Sequence, residues 1–402
     1  MLSPRGRPRV FQSASPPTRR ADATLELDDS SPFVPIPPER ALRALEPNAG
    51  PSSQPRRFGA FPEESMKILV IGGTRFIGAA AVRRLHELGH QVAVYNRGLA
   101  PVEPPEGVVR IRGDRDALVA ARPQIEAFGP EVVLHNVVLR EEQVAGALEA
   151  IRGIVQRFVM VSSCDVYRAY GRLTGTEPGA SDPMPLVETS PLRESRYPYR
   201  DRFPDPSQPL HWYDKIPAEA RALSDPEVTG VVLRLPMVLG PNDYQHRLFP
   251  FFRPMEDGRP ALVYEESYAA WRSTYGFVEN VAEAMALACT HPRARGLYNV
   301  GDASPSIAEL ARDVAAILNW KGEILTANVE DLPKELHPDM DTRQQLICSS
   351  EKLRDELGYS PRFSDEETLR LTLEWERRNP PDPIPPGTLQ YEAEDAYLAT
   401  RR

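Results

Sequence analysis

A glycine-rich turn shortly after Met66 has the residue types and spacing that cradle a phosphate group. A strand is predicted at Lys67–Ile71 and a helix at Phe76–Leu88, and between them the chain reads Gly72-Gly73-Thr74-Arg75-Phe76-Ile77-Gly78. Glycines in such a turn allow the backbone to approach a pyrophosphate, whose charge the N-terminus of the following helix stabilises. Because a second strand follows about 20 residues on, the turn predicts a dinucleotide-binding site.

The residues after that second strand indicate which dinucleotide the site prefers. The strand Gln91–Tyr95 is followed by Asn96-Arg97-Gly98, with no acid where NAD-selective sites hold the ribose diol. A guanidinium group accommodates the 2′-phosphate of NADP. Arg97, together with Arg75, therefore favours NADP, with NAD as the alternative cofactor. The other interpretation is that Arg97 only caps the end of the strand in water.

These motifs resemble the extended or atypical short-chain dehydrogenases/reductases of the NAD-dependent epimerase/dehydratase family, over about residues 66–381. The family loop is GxxGxxG, and this chain has Arg75 in place of the middle glycine. The form GGTRFIG is similar to a branch that includes chloroplast stem-loop-binding proteins. The resemblance implies that Asp114 meets the adenine amino group. It also implies that further residues line the cofactor, namely Asn96, Asn136, Ser162, Pro236 and Val238.

By the same resemblance, a serine, a tyrosine and a lysine carry the chemistry. Ser163, three residues before Val166, would hydrogen-bond the reacting oxygen. Lys215, in a Lys-x-x-x-Glu motif, would bind the nicotinamide ribose and lower the pKa of the tyrosine. Asp165 lies where dehydratase relatives carry a carboxylate that helps to remove water. The alternative for Asp165 is a turn or capping carboxylate.

The tyrosine position departs from the family pattern. His211, not a tyrosine, lies four residues before Lys215, and Tyr213 lies only two before it. On a helix, residues i and i+2 point to different faces. Either His211 transfers the proton, since imidazole titrates near neutral pH, or Tyr213 reaches in through an irregular helix start, or the redox step is lost. A purely structural His211 is the remaining alternative.

Three residues are candidates for substrate contacts. His246 and Arg247 follow a Gly240-Pro241 pair that resembles the family's exit from the sixth strand beside the nicotinamide. Arg272 lies in a segment that resembles the diphosphate-binding segment of nucleotide-sugar relatives, about one residue out of register. The basic stretch Arg193–Arg202 is expected to fold over the pocket, or else to be a solvated loop.

Alternating strands and helices must position these residues, which predicts an α/β Rossmann-type doubly wound parallel sheet with a smaller C-terminal substrate-binding lobe. The predicted boundaries are 66–240 for the Rossmann domain, 241–385 for the lobe, with contributions from 169–210, and 386–402 for a C-terminal tail. Further strands are predicted at Val108–Arg112, Glu131–Asn136, Arg157–Ser162 and Thr229–Leu235, and further helices at Glu141–Ile151, His211–Leu223, Val278–Thr290, Ser306–Leu318 and Asp365–Arg378.

The composition excludes several classes of protein. The 402 residues carry 48 Lys+Arg against 57 Asp+Glu, a net charge of −9, and broad nucleic-acid binding needs clustered basic side chains instead. No run approaches the roughly 18 apolar residues of a membrane span. The three cysteines lack CxxC spacing, so no disulfide framework or metal site is expected and a reducing, cytoplasmic location is predicted.

Residues 1–65 are predicted to be a disordered, proline-rich extension. They hold 12 of the 42 prolines and show no sustained apolar period. Five arginines precede the first acidic residue, Asp22, as in transit peptides, but the early prolines leave no amphipathic helix. A disordered tail or an upstream start site therefore accounts for this segment better than targeting does.

Two function classes stay open. The first is an NAD(P)-dependent epimerase, dehydratase or reductase acting on a sugar-like, nucleotide-linked or small carbonyl substrate, which Ser163 and Lys215 favour. The second is a catalytically degenerate NADP-binding scaffold or an RNA-associated protein, which His211 in the tyrosine register favours. The expected partner is a small molecule rather than a membrane or a nucleic acid, and homodimers are common in the family.

Overall fold

The computed structural model describes residues 64–99 and 103–401. The predicted extension, residues 1–65, lies outside the described residues except for its last two positions. In the described part, the helix predicted near the glycine turn begins at Phe76, and the apolar strand before it spans Lys67–Ile71.

Seven parallel strands form the central sheet, in the order β10-β6-β5-β4-β1-β2-β3. The direction of winding reverses between β1 and β4, and in doubly wound sheets ligands bind outside the carboxyl ends of the strands at such a point. Two short parallel pairs, β7 with β9 and β8 with β11, lie outside the sheet. The strands are β1 Lys67–Ile71, β2 Gln91–Asn96, β3 Val109–Arg112, β4 Val132–His135, β5 Arg157–Ser163, β6 Thr229–Leu235, β7 Met237–Leu239, β8 Ala261–Glu265, β9 Tyr275–Phe277, β10 Gly296–Asn299 and β11 Glu323–Ala327.

Helices cover both faces of the sheet, which explains why its central strands are apolar on both sides. On one face α1 and α8 pack on side chains such as Val70, and on the other α3 and α5 pack on side chains such as Leu69. The α-helices are α1 Phe76–Glu87, α2 Arg122–Phe128, α3 Glu141–Ile151, α4 Arg168–Leu173, α5 Lys215–Ser224, α6 Phe249–Glu256, α7 Glu266–Ala270, α8 Val278–Thr290, α9 Ile307–Leu318, α10 Glu351–Leu357, α11 Asp365–Arg378 and α12 Tyr391–Thr400. The sheet confirms the predicted Rossmann-type fold.

A second core belongs to the C-terminal lobe. Phe249 and Phe252 of α6 pack with Leu310 and Val314 of α9 and with Leu373 of α11. The apolar faces of these three helices pack against one another. They form a cluster separate from the two clusters that cover the central sheet. The predicted smaller lobe is therefore present, built mainly from residues after Gly240.

Two predicted boundaries need correction. The lobe does not take all of residues 241–385, because α8 packs on α1 and β10 pairs with β6 as the last strand of the main sheet. The predicted tail 386–402 contains helix α12, whose Tyr397 is buried against Val263 and Leu332. Apolar contact with β8 holds this segment against the lobe.

One predicted helix starts later than expected, and this changes the site. The segment predicted as a helix over His211–Leu223 begins with a 3₁₀ turn, Pro209–Trp212, and α5 starts only at Lys215. Asp214 is the N-cap, and its side chain accepts a hydrogen bond from the backbone N–H of Ile216. Such a cap satisfies one of the free donors of the first turn and fixes where the helix begins.

Within residues 64–99 and 103–401, no helix combines the length and the apolarity that crossing a membrane requires.

Candidate active site

The glycine turn between β1 and α1 has room only for glycine at three positions, one of which is Gly73, where a Cβ would lie 2.6 Å from Cγ2 of Val82. Gly72 has a φ of +85°, and a Cβ there would lie 2.6 Å from Cγ2 of Val137. A Cβ on Gly78 would lie 2.1 Å from the carbonyl oxygen of Gly72. Arg75, which replaces the middle glycine of the family motif, has an ordinary extended conformation (φ −138°), so a side chain is accommodated there. The turn therefore keeps the glycines that its packing requires.

Asn136, directly after β4, holds this turn through a side-chain hydrogen bond. Its Nδ2 donates to the carbonyl oxygen of Gly72 over 3.2 Å, and its Oδ1 is buried without a hydrogen-bond partner in the part of the chain that the structure describes. A buried acceptor of this kind is satisfied by a donor from a ligand or water. The close-packed turn at the N-terminus of α1 and this free acceptor fit a dinucleotide cofactor.

Arginines gather where β2 and β3 end, at the predicted adenosine side. The Nε atom of Arg112 lies 3.1 Å from where a Cβ on Gly98 would stand. Burial lowers the pKa of Arg115, the negative charge of Asp116 opposes that shift, and the positive charge of nearby Arg97 adds to it. Oδ1 of Asp114, the residue predicted to meet the adenine, accepts from the backbone N–H of Asp116. This edge of the sheet therefore carries arginines beside two aspartates.

At the carboxyl end of β5, the structure brings together Ser163, Asp165, Tyr213 and Lys215. The Tyr213 hydroxyl donates to Oδ2 of Asp165 over 2.8 Å, and it is also within hydrogen-bond reach of Ser163. The Nζ atom of Lys215 donates to the carbonyl oxygen of Val161 over 3.1 Å and lies 5.7 Å from the centroid of the Tyr213 ring. All of these side chains except that of Ser163 belong to residues at most 8% exposed. A hydroxyl, a phenol, a carboxylate and an ammonium thus share one buried site.

The late start of α5 explains how Tyr213 reaches this cluster. Because the helix begins at Lys215, Tyr213 lies in extended backbone (φ −64°, ψ 117°), where the i and i+2 rule for helices does not apply. His211 lies in the 3₁₀ turn instead, with its Nδ1 atom 2.8 Å from the carbonyl oxygen of Phe203 and its ring against Trp212. The phenol rather than the imidazole is therefore placed beside Ser163 and Lys215.

Burial sets the protonation states of this cluster. It raises the pKa of Tyr213 well above the usual value, and the negative charge of Asp165 raises it further. Burial also lowers the pKa of the Lys215 ammonium group, while Asp165 and Glu219 oppose that shift. Tyr213 is consequently a neutral phenol near neutral pH, able to donate a proton as well as a hydrogen bond.

Tyr199, which no sequence pattern singled out, completes the cluster. It comes from the insertion between α4 and α5, and its hydroxyl donates to the same Asp165 oxygen, Oδ2, over 2.8 Å. Its ring centroid lies 4.9 Å from that of Tyr213. Arg193, also in the insertion, donates from Nε to the backbone carbonyl of Asp165. The only sequence signal was the expectation that residues 193–202 fold over the pocket.

Two residues predicted to line the cofactor have other partners. The Ser162 hydroxyl donates to Glu219, which also binds Arg234 over 2.6 Å in a buried ion pair. Val238 is a core side chain packed with the helices of one sheet face. Pro236, between β6 and β7, packs near Gly276. The side chains of Ser162 and Val238 thus have partners within the protein, and their predicted place along the cofactor stays a prediction.

The residues predicted to contact the substrate also have partners within the lobe. Arg247 pairs with buried Asp243 over 2.7 Å and donates to the carbonyl oxygen of Val238. Arg272 pairs with Glu309 and donates to the carbonyl of Ser304, where it fixes the start of α9. His246 stacks on Trp375 with a ring-centroid separation of 5.6 Å. Arg247 and Arg272 thus hold loops of the lobe through these contacts, and their assignment to substrate stays a prediction.

Comparison with known proteins adds sequence relatives. No family model matches the chain. The chain is 27% identical over 322 residues to the chloroplast stem-loop binding protein of 41 kDa b from Arabidopsis thaliana, covering 75% of this chain and 77% of that protein. It is 28% identical over 349 residues to the dTDP-glucose 4,6-dehydratase of Streptomyces niveus, covering 78% of this chain and 94% of that protein.

A solved structure matches most of the described chain. The Bordetella bronchiseptica enzyme WbmG in complex with NAD is similar with a TM-score of 0.59 at 18% identity, covering 79% of this chain and 96% of that one. At this identity the likeness shows a shared fold: the parallel sheet and the lobe that follows it.

Proposed function

We propose that the chain is a member of the NAD-dependent epimerase/dehydratase family of extended short-chain dehydrogenases/reductases, and that it is a nicotinamide-dependent enzyme acting on a nucleotide-linked sugar. The observation that carries the proposal is the buried cluster of Ser163, Asp165, Tyr213 and Lys215 at the carboxyl end of β5. The carboxyl ends of parallel strands lie at one edge of the sheet, so this cluster and the glycine turn after β1 face the same crevice.

Each side chain of the cluster has a chemical task in this proposal. Ser163 and Tyr213 bind the reacting oxygen of the sugar. Tyr213 gives its phenolic proton to that oxygen when a keto group is reduced, and as the phenolate it takes a proton from the hydroxyl when the sugar is oxidised. Lys215 places a positive charge near the Tyr213 ring and stabilises the phenolate while it exists. In a dehydration, the Asp165 carboxylate takes the proton from the carbon beside the keto group and passes it to the hydroxyl on the next carbon, which leaves as water. The bound nicotinamide dinucleotide supplies the hydride chemistry.

For the dinucleotide we propose NADP in preference to NAD. Arg97, Arg112 and Arg115 come from the loops where β2 and β3 end, and no acid follows β2 at the ribose position. Guanidinium groups bind a phosphate through charge-assisted hydrogen bonds, whereas a carboxylate at this place would repel it. These arginines support a 2′-phosphate there.

The test is a substrate panel with the purified protein. dTDP-glucose and UDP-glucose are incubated with NADP⁺ or NAD⁺, and the 4-keto-6-deoxy product and the C4 epimer are both measured. Turnover of either sugar that is lost in Tyr213→Phe supports the proposal. Turnover that persists in Tyr213→Phe contradicts the role of the cluster, and a protein that binds the cofactor but converts neither sugar contradicts the substrate class.

RNA association is a second candidate because one sequence relative is a chloroplast stem-loop binding protein. The net charge of −9 opposes it, since RNA phosphates attract clustered basic side chains. A gel-shift titration with a stem-loop RNA at 50 and 200 mM salt distinguishes the two candidates. Salt-sensitive binding with no sugar turnover would favour the RNA candidate.

A further inference from the structure

The insertion between α4 and α5 places a second phenol on the carboxylate of Asp165. Tyr199 and Tyr213 both donate to Oδ2, each over 2.8 Å, although they belong to different segments. Burial raises the pKa of Tyr199 well above its usual value, and the charge of Asp165 adds to this effect. Tyr199 is therefore a stable donor rather than a group that competes for the proton.

The other carboxylate oxygen of Asp165 has a different environment. Oδ1 is buried and has no hydrogen-bond partner among the described residues. The Asp165 backbone is fixed on both sides, since its N–H donates to Ser163 Oγ and its carbonyl accepts from Nε of Arg193. A buried carboxylate oxygen without a donor is costly, and such atoms in native proteins have a partner that the protein alone does not supply.

We propose that Tyr199 is a positioning residue that holds Oδ2 of Asp165, so that Oδ1 is presented to a hydroxyl or a carbon-bound proton of the substrate. This inference rests on the proposed sugar-converting function. With Oδ2 engaged by two phenols, the carboxyl group cannot rotate about its Cβ–Cγ bond without breaking both hydrogen bonds. One oxygen is thereby kept for orientation and the other for the substrate.

The insertion has anchors that do not depend on the Tyr199 hydroxyl. The guanidinium carbon of Arg200 lies 3.8 Å from the ring centroid of Tyr197 and 5.0 Å from that of Trp212. Arg196 pairs with Asp214, the N-cap of α5, over 2.5 Å. Tyr199→Phe keeps the ring contact with Tyr213 and removes only the hydroxyl. Tyr197→Phe is the matched control, since it removes a hydroxyl two residues away on the same segment.

The kinetic test uses dTDP-glucose and UDP-glucose as probes with the full-length protein. Tyr199→Phe should lower kcat about 10-fold or more and change KM less than about 2-fold, because a hydrogen bond to a charged group is lost at the reacting site. Tyr197→Phe should leave both constants unchanged. Adding Tyr199→Phe to Asp165→Asn should cause no further loss. An independent, multiplicative loss in the double variant, or a kcat that rises in Tyr199→Phe, overturns the proposal.

A spectroscopic test needs no substrate. The antisymmetric stretch of the Asp165 carboxylate is identified by the infrared difference between the wild type and Asp165→Asn. The band should shift in Tyr199→Phe and stay in place in Tyr197→Phe, and an unshifted band in Tyr199→Phe overturns the positioning role. If the band shifts but neither sugar is converted, the positioning role stands and the proposed substrate class fails.

Discussion

Two groups compete for the proton-transfer role at the residue scale, and their surroundings differ. Tyr213 contacts a carboxylate and lies near an ammonium group, whereas His211 hydrogen-bonds a backbone carbonyl of the insertion. A proton-transfer group must be within hydrogen-bond reach of the reacting oxygen, so geometry selects before pKa does. Of these two residues, only Tyr213 lies within hydrogen-bond reach of Ser163.

Replacing the two rivals should therefore have opposite effects. Tyr213→Phe is expected to lower kcat by about 10²–10⁴ without unfolding the protein, the range for loss of one positioned acid/base. His211→Phe should keep most of the turnover and lower the free energy of unfolding by about 1 kcal/mol, because a buried hydrogen bond is lost. Steady-state kinetics and urea denaturation measure the two quantities. The reverse pattern in kcat would assign proton transfer to His211.

The cofactor preference depends on single charges. Arg97→Ala should weaken NADP⁺ binding about 10- to 100-fold and leave NAD⁺ binding nearly unchanged, because only NADP carries the 2′-phosphate. Arg110→Ala is the control, since Arg110 lies on β3 and pairs with Glu103. Fluorescence titration of NADP⁺ and NAD⁺ against the wild type, Arg97→Ala and Arg110→Ala measures the change in affinity. An equal loss of affinity for the two cofactors would mean that Arg97 does not contact the 2′-phosphate.

At the element scale, backbone geometry decides whether the β1–α1 turn can work. Its glycines face atoms that cannot move away easily, among them a valine side chain for Gly72 and a backbone carbonyl for Gly78. The middle position has an extended backbone that any residue adopts, and an arginine occupies it. The departure from the family motif is thus compatible with the same turn.

Gly78→Ala should abolish dinucleotide binding, because the new methyl group would lie 2.1 Å from the carbonyl oxygen of Gly72. Gly146→Ala is the matched control inside helix α3, where a Cβ meets nothing within 4 Å. This control should bind cofactor normally and gain about 0.5–1 kcal/mol of stability, since alanine favours a helix over glycine. Calorimetric titration and thermal melting test both variants. Unimpaired binding by Gly78→Ala would refute the steric account of the turn.

The elements that sequence predicts well are those with strong local patterns. Strands β1 and β6 and helices α3, α8 and α11 begin and end where apolar runs and helical periods indicated. The start of α5 was predicted too early, because a 3₁₀ turn and an α-helix have similar periods over a few residues. The contact of Tyr199 with Asp165 spans 34 residues along the chain, so no local pattern could reveal it.

For the whole molecule, one buried carboxyl group makes stability depend on pH. Glu376 of α11 is buried and accepts a hydrogen bond from the backbone N–H of Leu248 over 3.1 Å. Burial, together with the negative charge of Asp243, raises the pKa of Glu376 to about 8 from an ordinary value of 4.5. The folded state therefore holds a proton that the unfolded chain releases.

The resulting stabilisation is fully present below about pH 4.5 and is lost as the pH rises through about 8. The contribution of this group should fall by on the order of 2–4 kcal/mol between pH 5 and pH 8. Glu376→Gln stays neutral and should remove that pH dependence, whereas Glu374→Gln, an exposed neighbour on the same helix, should not. Urea denaturation at several pH values measures the free energy of unfolding of each protein. Parallel curves for wild type and Glu376→Gln would show that Glu376 is not the titrating group.

The return of β10 to the main sheet has a consequence for how the protein is made. Strand β6 ends at Leu235 and its outer neighbour begins only at Gly296, about 60 residues later. During translation, at about 5–20 residues per second, the apolar edge of β6 waits several seconds for its partner to leave the ribosome. Unpaired strand edges of this kind recruit other chains. The nascent protein therefore passes through an interval in which that edge is open to pairing with other chains.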